Sequence, residues 1–144
     1  MLKITKIFHV EMAHAIHGYS GACKNIHGHS YELHITVAGT KKEEDYIPDP
    51  GFLFNFKELK KIVSSTVIEA FDHKLILSVN FLKKSPATHS QENLVVWEHE
   101  PTAENLLIHI RNMLKENLPE GITLASLKLY ETKDSYAEWV NGEI

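Results

Sequence analysis

The sequence predicts an α+β fold in which an antiparallel four-stranded sheet carries two helices on one face. Three observations predict it. Apolar residues alternate at period two in stretches near both ends of the chain, two interior stretches repeat them at helical spacing, and the order is strand, strand, helix, helix, strand, strand. The 144 residues, 43% hydrophobic and 24% charged, suit one domain spanning 1–144.

Residues from about 2 to 14 read as the first strand, with Phe8, Val10 and Met12 apolar at alternate positions and His14 next in that series. The second strand, about 29 to 39, alternates through Tyr31, Leu33, Ile35 and Val37 and stops at Gly39-Thr40; His27 and His29 share its parity. Between them lies a loop, Ala15 to Ile26, that holds Gly18, Gly21 and Cys23. A charged stretch from Lys41 ends in the turn signal Pro48-Asp49-Pro50-Gly51. Asn55 then serves as an N-cap with Glu58 three residues on, a variant capping box. Phe56, Leu59, Val63, Val67 and Ala70 form one apolar face of a helix from about 55 to 71, ending near Phe71-Asp72-His73.

After that helix, Leu75-Ile76-Leu77 and Leu94-Val95-Val96-Trp97 are expected to pair as a small hairpin across a polar stretch. The second long helix opens at Pro101 with Thr102 as N-cap, and Glu100 and Glu104 suit its positive end. Leu106, Leu107, Ile110, Leu114 and Leu118 are its buried stripe, and Gly121 stops it. Ile122 to Thr132 returns to period two through Ala125, Leu127 and Leu129, with Glu131 next; Tyr136 to Val140 is the last strand. An open four-stranded sheet leaves two unpaired edges, so copies are expected to join edge to edge into a homo-oligomer.

Composition excludes several classes. The single cysteine rules out an intramolecular disulfide and points to a reducing cytoplasm. A net charge of −4, with Arg111 the only arginine, leaves no basic footprint for nucleic acid. No apolar run approaches membrane-spanning length, and the alternating start does not read as an export signal.

The chemistry gathers around Cys23-Lys-Asn-Ile-His27-Gly-His29. Side chains at i and i+2 of an extended strand point the same way, so His27 and His29 lean together, and His14 joins them if the two strands pair without a bulge. Three neutral imidazoles with one open position fit a catalytic zinc ion, and the same set also accepts iron or nickel. With ten histidines in the chain, satisfied or exposed imidazoles are an equal reading at this point. Glu131 continues an apolar strand face, where it is either a buried acid needing a partner or the place where the strand reaches solvent. Asp72-His73 reads most simply as a helix terminus with a surface imidazole, and Glu104 as a first-turn carboxylate.

Taken together, Phe8-His-Val-Glu-Met-Ala-His14, Cys23-x-x-x-His27-Gly28-His29-Ser-Tyr31, Phe56-Lys-Glu-Leu-Lys60, Phe71-Asp72-His73, Pro101-Thr-Ala-Glu-Asn105 and Glu131-Thr132 resemble the 6-pyruvoyltetrahydropterin and 6-carboxytetrahydropterin synthase family over nearly the whole chain. The resemblance implies the tunnelling fold, in which subunits close into an oligomeric barrel and two rings stack as a hexamer, a dimer of trimers. It implies zinc on His14, His27 and His29, Cys23 as the catalytic thiol, Asp72 with His73 as an acid-base pair, Glu131 as the acid anchoring a pterin ring, and Glu104 near the same pocket. In that family the thiol and the Asp-His pair can come from different subunits, which makes assembly a condition of activity.

The implied substrate is 7,8-dihydroneopterin triphosphate. Zinc acts as Lewis acid on its side-chain oxygens, Cys23 as general base, and His73, oriented by Asp72, as proton donor. Three residues between Cys23 and His27 resemble the bacterial 6-carboxytetrahydropterin synthases, which release acetaldehyde and triphosphate on the way to queuosine. The pyruvoyl synthase reaction is the alternative, followed by a non-catalytic pterin- or zinc-binding module. A double-stranded β-helix oxygenase, which also uses His-x-His, is disfavoured by the two helical stripes. The chain departs from the family at Asn55, where aspartate is usual, at Leu77, where asparagine is common, and in a long connection from about 78 to 100. No basic cluster identifies a triphosphate site; Lys24 and Lys74 are the nearby cations.

Overall fold

The computed structural model describes residues 1–40 and 44–144; Lys41 to Glu43, the start of the expected charged stretch, lie outside the described residues. Strands β1 (Lys3–His14) and β2 (His27–Gly39) pair antiparallel over their whole length, from Lys3 opposite Ala38 to His14 opposite His27. Strand β5 (Ile122–Thr132) pairs antiparallel with β2, and β6 (Ser135–Val140) with β5. These four are the expected sheet.

The sheet is larger than expected. Strand β3 (Lys74–Ser78) adds parallel to the end of β1, at Met12 to His14, and β4 (Leu94–Trp97) adds parallel to β3, giving six strands in the order β4-β3-β1-β2-β5-β6. The anticipated hairpin of residues 75–77 and 94–97 is therefore a parallel pair. Parallel neighbours need a crossover, and helix α3 (Val79–Lys84) with the 3-10 turn Pro86–Ser90 supplies it.

Helix α1 (Phe56–Val63) runs through a π-helical stretch, Ser64–Ile68, into α2 (Glu69–Phe71), filling the expected 55–71 span. Asn55 caps it by accepting from the Lys57 N–H at 2.8 Å, which makes aspartate unnecessary there. Pro48 and Gly51 close the turn before it, with the Gly51 N–H on the Pro48 carbonyl and Gly51 at φ 84°. Helix α4 (Ala103–Lys115) is capped by Thr102 Oγ1, which accepts from the Asn105 N–H at 3.2 Å.

The helices bury Leu59, Val63, Val67, Phe71, Leu106, Ile110 and Leu114 against Val10, Met12, Tyr31, Leu33, Ile35 and Val37 of the sheet. Each fully buried Leu or Ile is worth about 1.5–3 kcal/mol relative to exposure. The register slips between Thr36 and Val37, so β5 carries an extra residue there, and Leu124 joins Leu127 and Leu129 in this core in place of the expected Ala125. The buried side chain of Asn141 donates to the Leu124 carbonyl and its backbone N–H to the Ala125 carbonyl, satisfying the bulge.

Helices are not confined to one face. Ala15, Leu75, Leu77 and Leu82 form a second cluster, with Phe81 and Leu94 packed on it. Leu75 and Leu77 point away from Ile76, which belongs to the main core, so α3 covers the reverse face of the sheet at its β3-β4 end. Leu77, the departure from asparagine, is fully buried there. Among the described residues no helix is long and apolar enough to cross a membrane.

Candidate metal centre and adjoining pocket

The continuous β1-β2 register puts His14 opposite His27 and Met12 opposite His29, so all three imidazoles meet at one end of the inner face. Ring centroids lie 4.6 Å apart for His14 and His27, 5.3 Å for His14 and His29, and 4.9 Å for His27 and His29. A carboxylate oxygen of Glu131 joins them, with all four ligand atoms within 4.8 Å of one another.

Backbone carbonyls fix which nitrogens are free. His14 Nδ1 donates to the Pro101 carbonyl at 2.7 Å, and His27 Nδ1 to the Asn25 carbonyl at 2.7 Å. Each Nε2 is then an unprotonated lone pair in the neutral ring, yet the two Nε2 atoms stand only 3.1 Å apart. Two acceptors at that separation call for a cation between them. His29 Nε2 is buried without a hydrogen bond, 3.0 Å from Glu131 Oε1 but out of alignment with it. An orphaned buried nitrogen beside two facing lone pairs is what a three-histidine metal site requires, and the donor set fits zinc.

Burial favours the neutral form of His14 and of His29. Burial pushes His14 below its ordinary 6.5, partly offset by the Pro101 hydrogen bond and the Glu131 charge. Burial also lowers His29, again against Glu131. Tyr31, next after His29 in strand parity, sets its hydroxyl 3.4 Å from His14 Nδ1, and burial raises its pKa so that it stays neutral.

Cys23 sits half-buried in a 3-10 turn, Ala22–Lys24, whose loop is pinned at both ends. The Cys23 carbonyl accepts from the Ile16 N–H at 2.8 Å, and Glu100 Oε1 accepts from the His17 N–H at 2.7 Å. Cys23, His14, Tyr19, Glu104 and Glu131 line one cavity of about 220 Å³. Glu104 is thus both a first-turn carboxylate of α4 and part of the cavity lining.

Asp72 and His73 do not line this cavity. Asp72 Oδ2 lies 3.0 Å from His73 Nδ1, and Asp72 Oδ1 accepts from the Glu11 N–H at 3.0 Å. The Glu11 N–H holds the Asp72 carboxyl below its ordinary range, with His73 adding to that effect. The His73 side chain is 78% exposed and lines a second pocket, about 360 Å³, with Glu11, Ser30, Lys74 and Asn93; His29 also borders it. Lys24, the other cation considered for triphosphate, is exposed.

Two groups had no separate sequence signal, and one contact had none. Pro101 and Asn25 act through backbone carbonyls, and the contact of Glu131 with His29 follows from the β2-β5 pairing, which sets Glu32 opposite Tyr130. The remaining histidines stay outside the site. His34 pairs with Glu32 at 2.6 Å, and His109 packs on Phe71 and Trp97.

The chain is similar to known proteins over nearly its whole length. The profile described as 6-pyruvoyl tetrahydropterin synthase matches residues 3–141. A 6-carboxy-5,6,7,8-tetrahydropterin synthase of Haemophilus influenzae is 32% identical over 143 residues, covering 96% of this chain and 99% of that protein. One of the same name from Rickettsia typhi is 30% identical, again over 96% and 99%. The structure of Caenorhabditis elegans 6-pyruvoyl tetrahydropterin synthase superposes with a TM-score of 0.67 at 20% identity, over 98% of this chain and 96% of that one. With a family profile spanning nearly all of its strands and helices and bacterial relatives matched end to end, this chain belongs to the 6-pyruvoyl tetrahydropterin synthase family.

Proposed function

We propose that the chain is a zinc-dependent 6-carboxytetrahydropterin synthase, converting 7,8-dihydroneopterin triphosphate and water to 6-carboxytetrahydropterin, acetaldehyde and triphosphate, early in queuosine biosynthesis. The observation that carries this reading is that Cys23 and Glu131 line one cavity with His14 of the three-histidine cluster. The bacterial relatives named 6-carboxy-5,6,7,8-tetrahydropterin synthase favour that product over the pyruvoyl one, as does the three-residue spacing between Cys23 and His27.

His14, His27 and His29 would hold zinc, which would supply Lewis-acid polarisation of the substrate's side-chain oxygen. Cys23 takes a proton from the carbon beside that oxygen. Glu131 accepts two parallel N–H bonds from the pterin ring and fixes its orientation. His73, aligned by Asp72, returns a proton elsewhere on the side chain. Because His73 lines a different pocket from Cys23, the proposed reaction draws the two from different copies in a homohexamer. A single-chain cavity of about 220 Å³ is also smaller than the ~300–1,000 Å³ usual for a complete small-molecule site, which agrees with a wall supplied by a neighbour.

Incubating the zinc-loaded protein with dihydroneopterin triphosphate tests the reading. Acetaldehyde and the carboxylated pterin are expected, with kcat of Cys23→Ala lower by about 10²–10⁴ and zinc content unchanged. The pyruvoyl product without acetaldehyde would move the reading to the sister synthase, and unchanged pterin to a binding module.

A further inference from the structure

Among the described residues His73 is the one non-glycine residue with a positive φ, 59°. A side chain with a Cβ adopts the left-handed region at a cost and stays there only where its surroundings over-determine it. The ties at His73 are specific. Its N–H donates to the Glu11 carbonyl at 2.6 Å, its Nδ1 pairs with Asp72, and its carbonyl accepts from Asn93 Nδ2 at 2.9 Å. The first tie is backbone to backbone and the second belongs to the Asp-His pair itself. Asn93 alone brings in a side chain from elsewhere, 20 residues on, at the end of the long connection that precedes β4. Its own carbonyl accepts from the Leu75 N–H at 3.0 Å, so Asn93 grips both sides of the residue where β3 begins.

We infer that Asn93 is a positioning residue for the proposed reaction, holding the His73 carbonyl so that the left-handed turn aims the imidazole into the pocket the two residues share. The 78–100 connection then does more than lengthen the chain: it supplies the side chain that orients His73. This inference rests on the proton-donor role proposed above for His73.

Asn93→Asp keeps the size of the side chain and the backbone bond to Leu75 but sets a carboxylate oxygen against the His73 carbonyl. In the zinc-loaded variant kcat is expected to fall about 10- to 100-fold, with KM within about twofold and zinc content at the parental level. The crystal structure of the variant should show the His73 carbonyl displaced by more than about 0.5 Å. Asn93→Ala carries the same readouts if the aspartate variant fails to fold. A kcat within about twofold of the parent, or a His73 that stays in place, overturns the inference. Absence of turnover by the parent itself would refute the proposed reaction instead, and the displacement of His73 would then decide the positioning role alone.

Discussion

The histidine cluster and the Asp72-His73 pair are both candidate chemistry at the same end of the sheet, and they are built in opposite ways. His14 is 3% exposed and, with His27 and His29, is locked by backbone carbonyls and strand register, complete within one chain except for a cation. His73 is largely exposed, held in a left-handed turn, and faces a pocket that Cys23 does not line. The cluster offers a candidate metal site within a single chain, whereas the proposed turnover draws on the assembly.

The largest effect that would break this contrast lies in the cluster. His27→Ala removes one of two facing lone pairs, and zinc content after dialysis should drop to background together with all product formation. Full zinc retention in that variant, measured by elemental analysis, would show that the three-histidine site is misassigned. His73→Ala should instead keep its zinc while losing about 10²–10⁴ in kcat, which separates the two regions directly.

A smaller effect sharpens the other side. Asp72 has its folded pKa depressed by the Glu11 N–H, so its contribution to stability is present above the unfolded carboxylate value and is lost as pH falls through the folded one. Asp72→Asn should cost about 1 kcal/mol at neutral pH, discounted for its partial exposure, and should flatten the acid limb of a urea-unfolding series below about pH 4. An acid limb identical to the parent's would mean that the Glu11 contact does not hold in solution.

How far each region was legible follows from its physics. The histidine convergence could be read because β1 and β2 pair without a bulge between residues 3 and 14, so side-chain parity carries directly into space. Most of the buried stripes of α1 and α4 were legible for the same reason, since helical period survives packing, but Phe56, expected on the first stripe, is 51% exposed. Strands β3 and β4 were not legible, because three- and four-residue apolar runs give no information on partner direction, and their parallel pairing depends on the crossover through α3. Ala125 was misplaced by a single-residue slip at Thr36-Val37, which no pattern announces. The carbonyls of Pro101 and Asn25 and the φ of His73 are backbone properties and leave no mark in residue type.

The most direct measurement mixes the two halves of the proposed site. Cys23→Ala and His73→Ala, each zinc-loaded and inactive alone, are unfolded together, reassembled at equal amounts and assayed for acetaldehyde from dihydroneopterin triphosphate. If each site takes its thiol from one copy and its Asp-His pair from a neighbour, random assembly restores roughly a quarter of the parental rate. A mixture as inactive as its components, with oligomer size and zinc content matching the parent, would contradict the division of the site between copies.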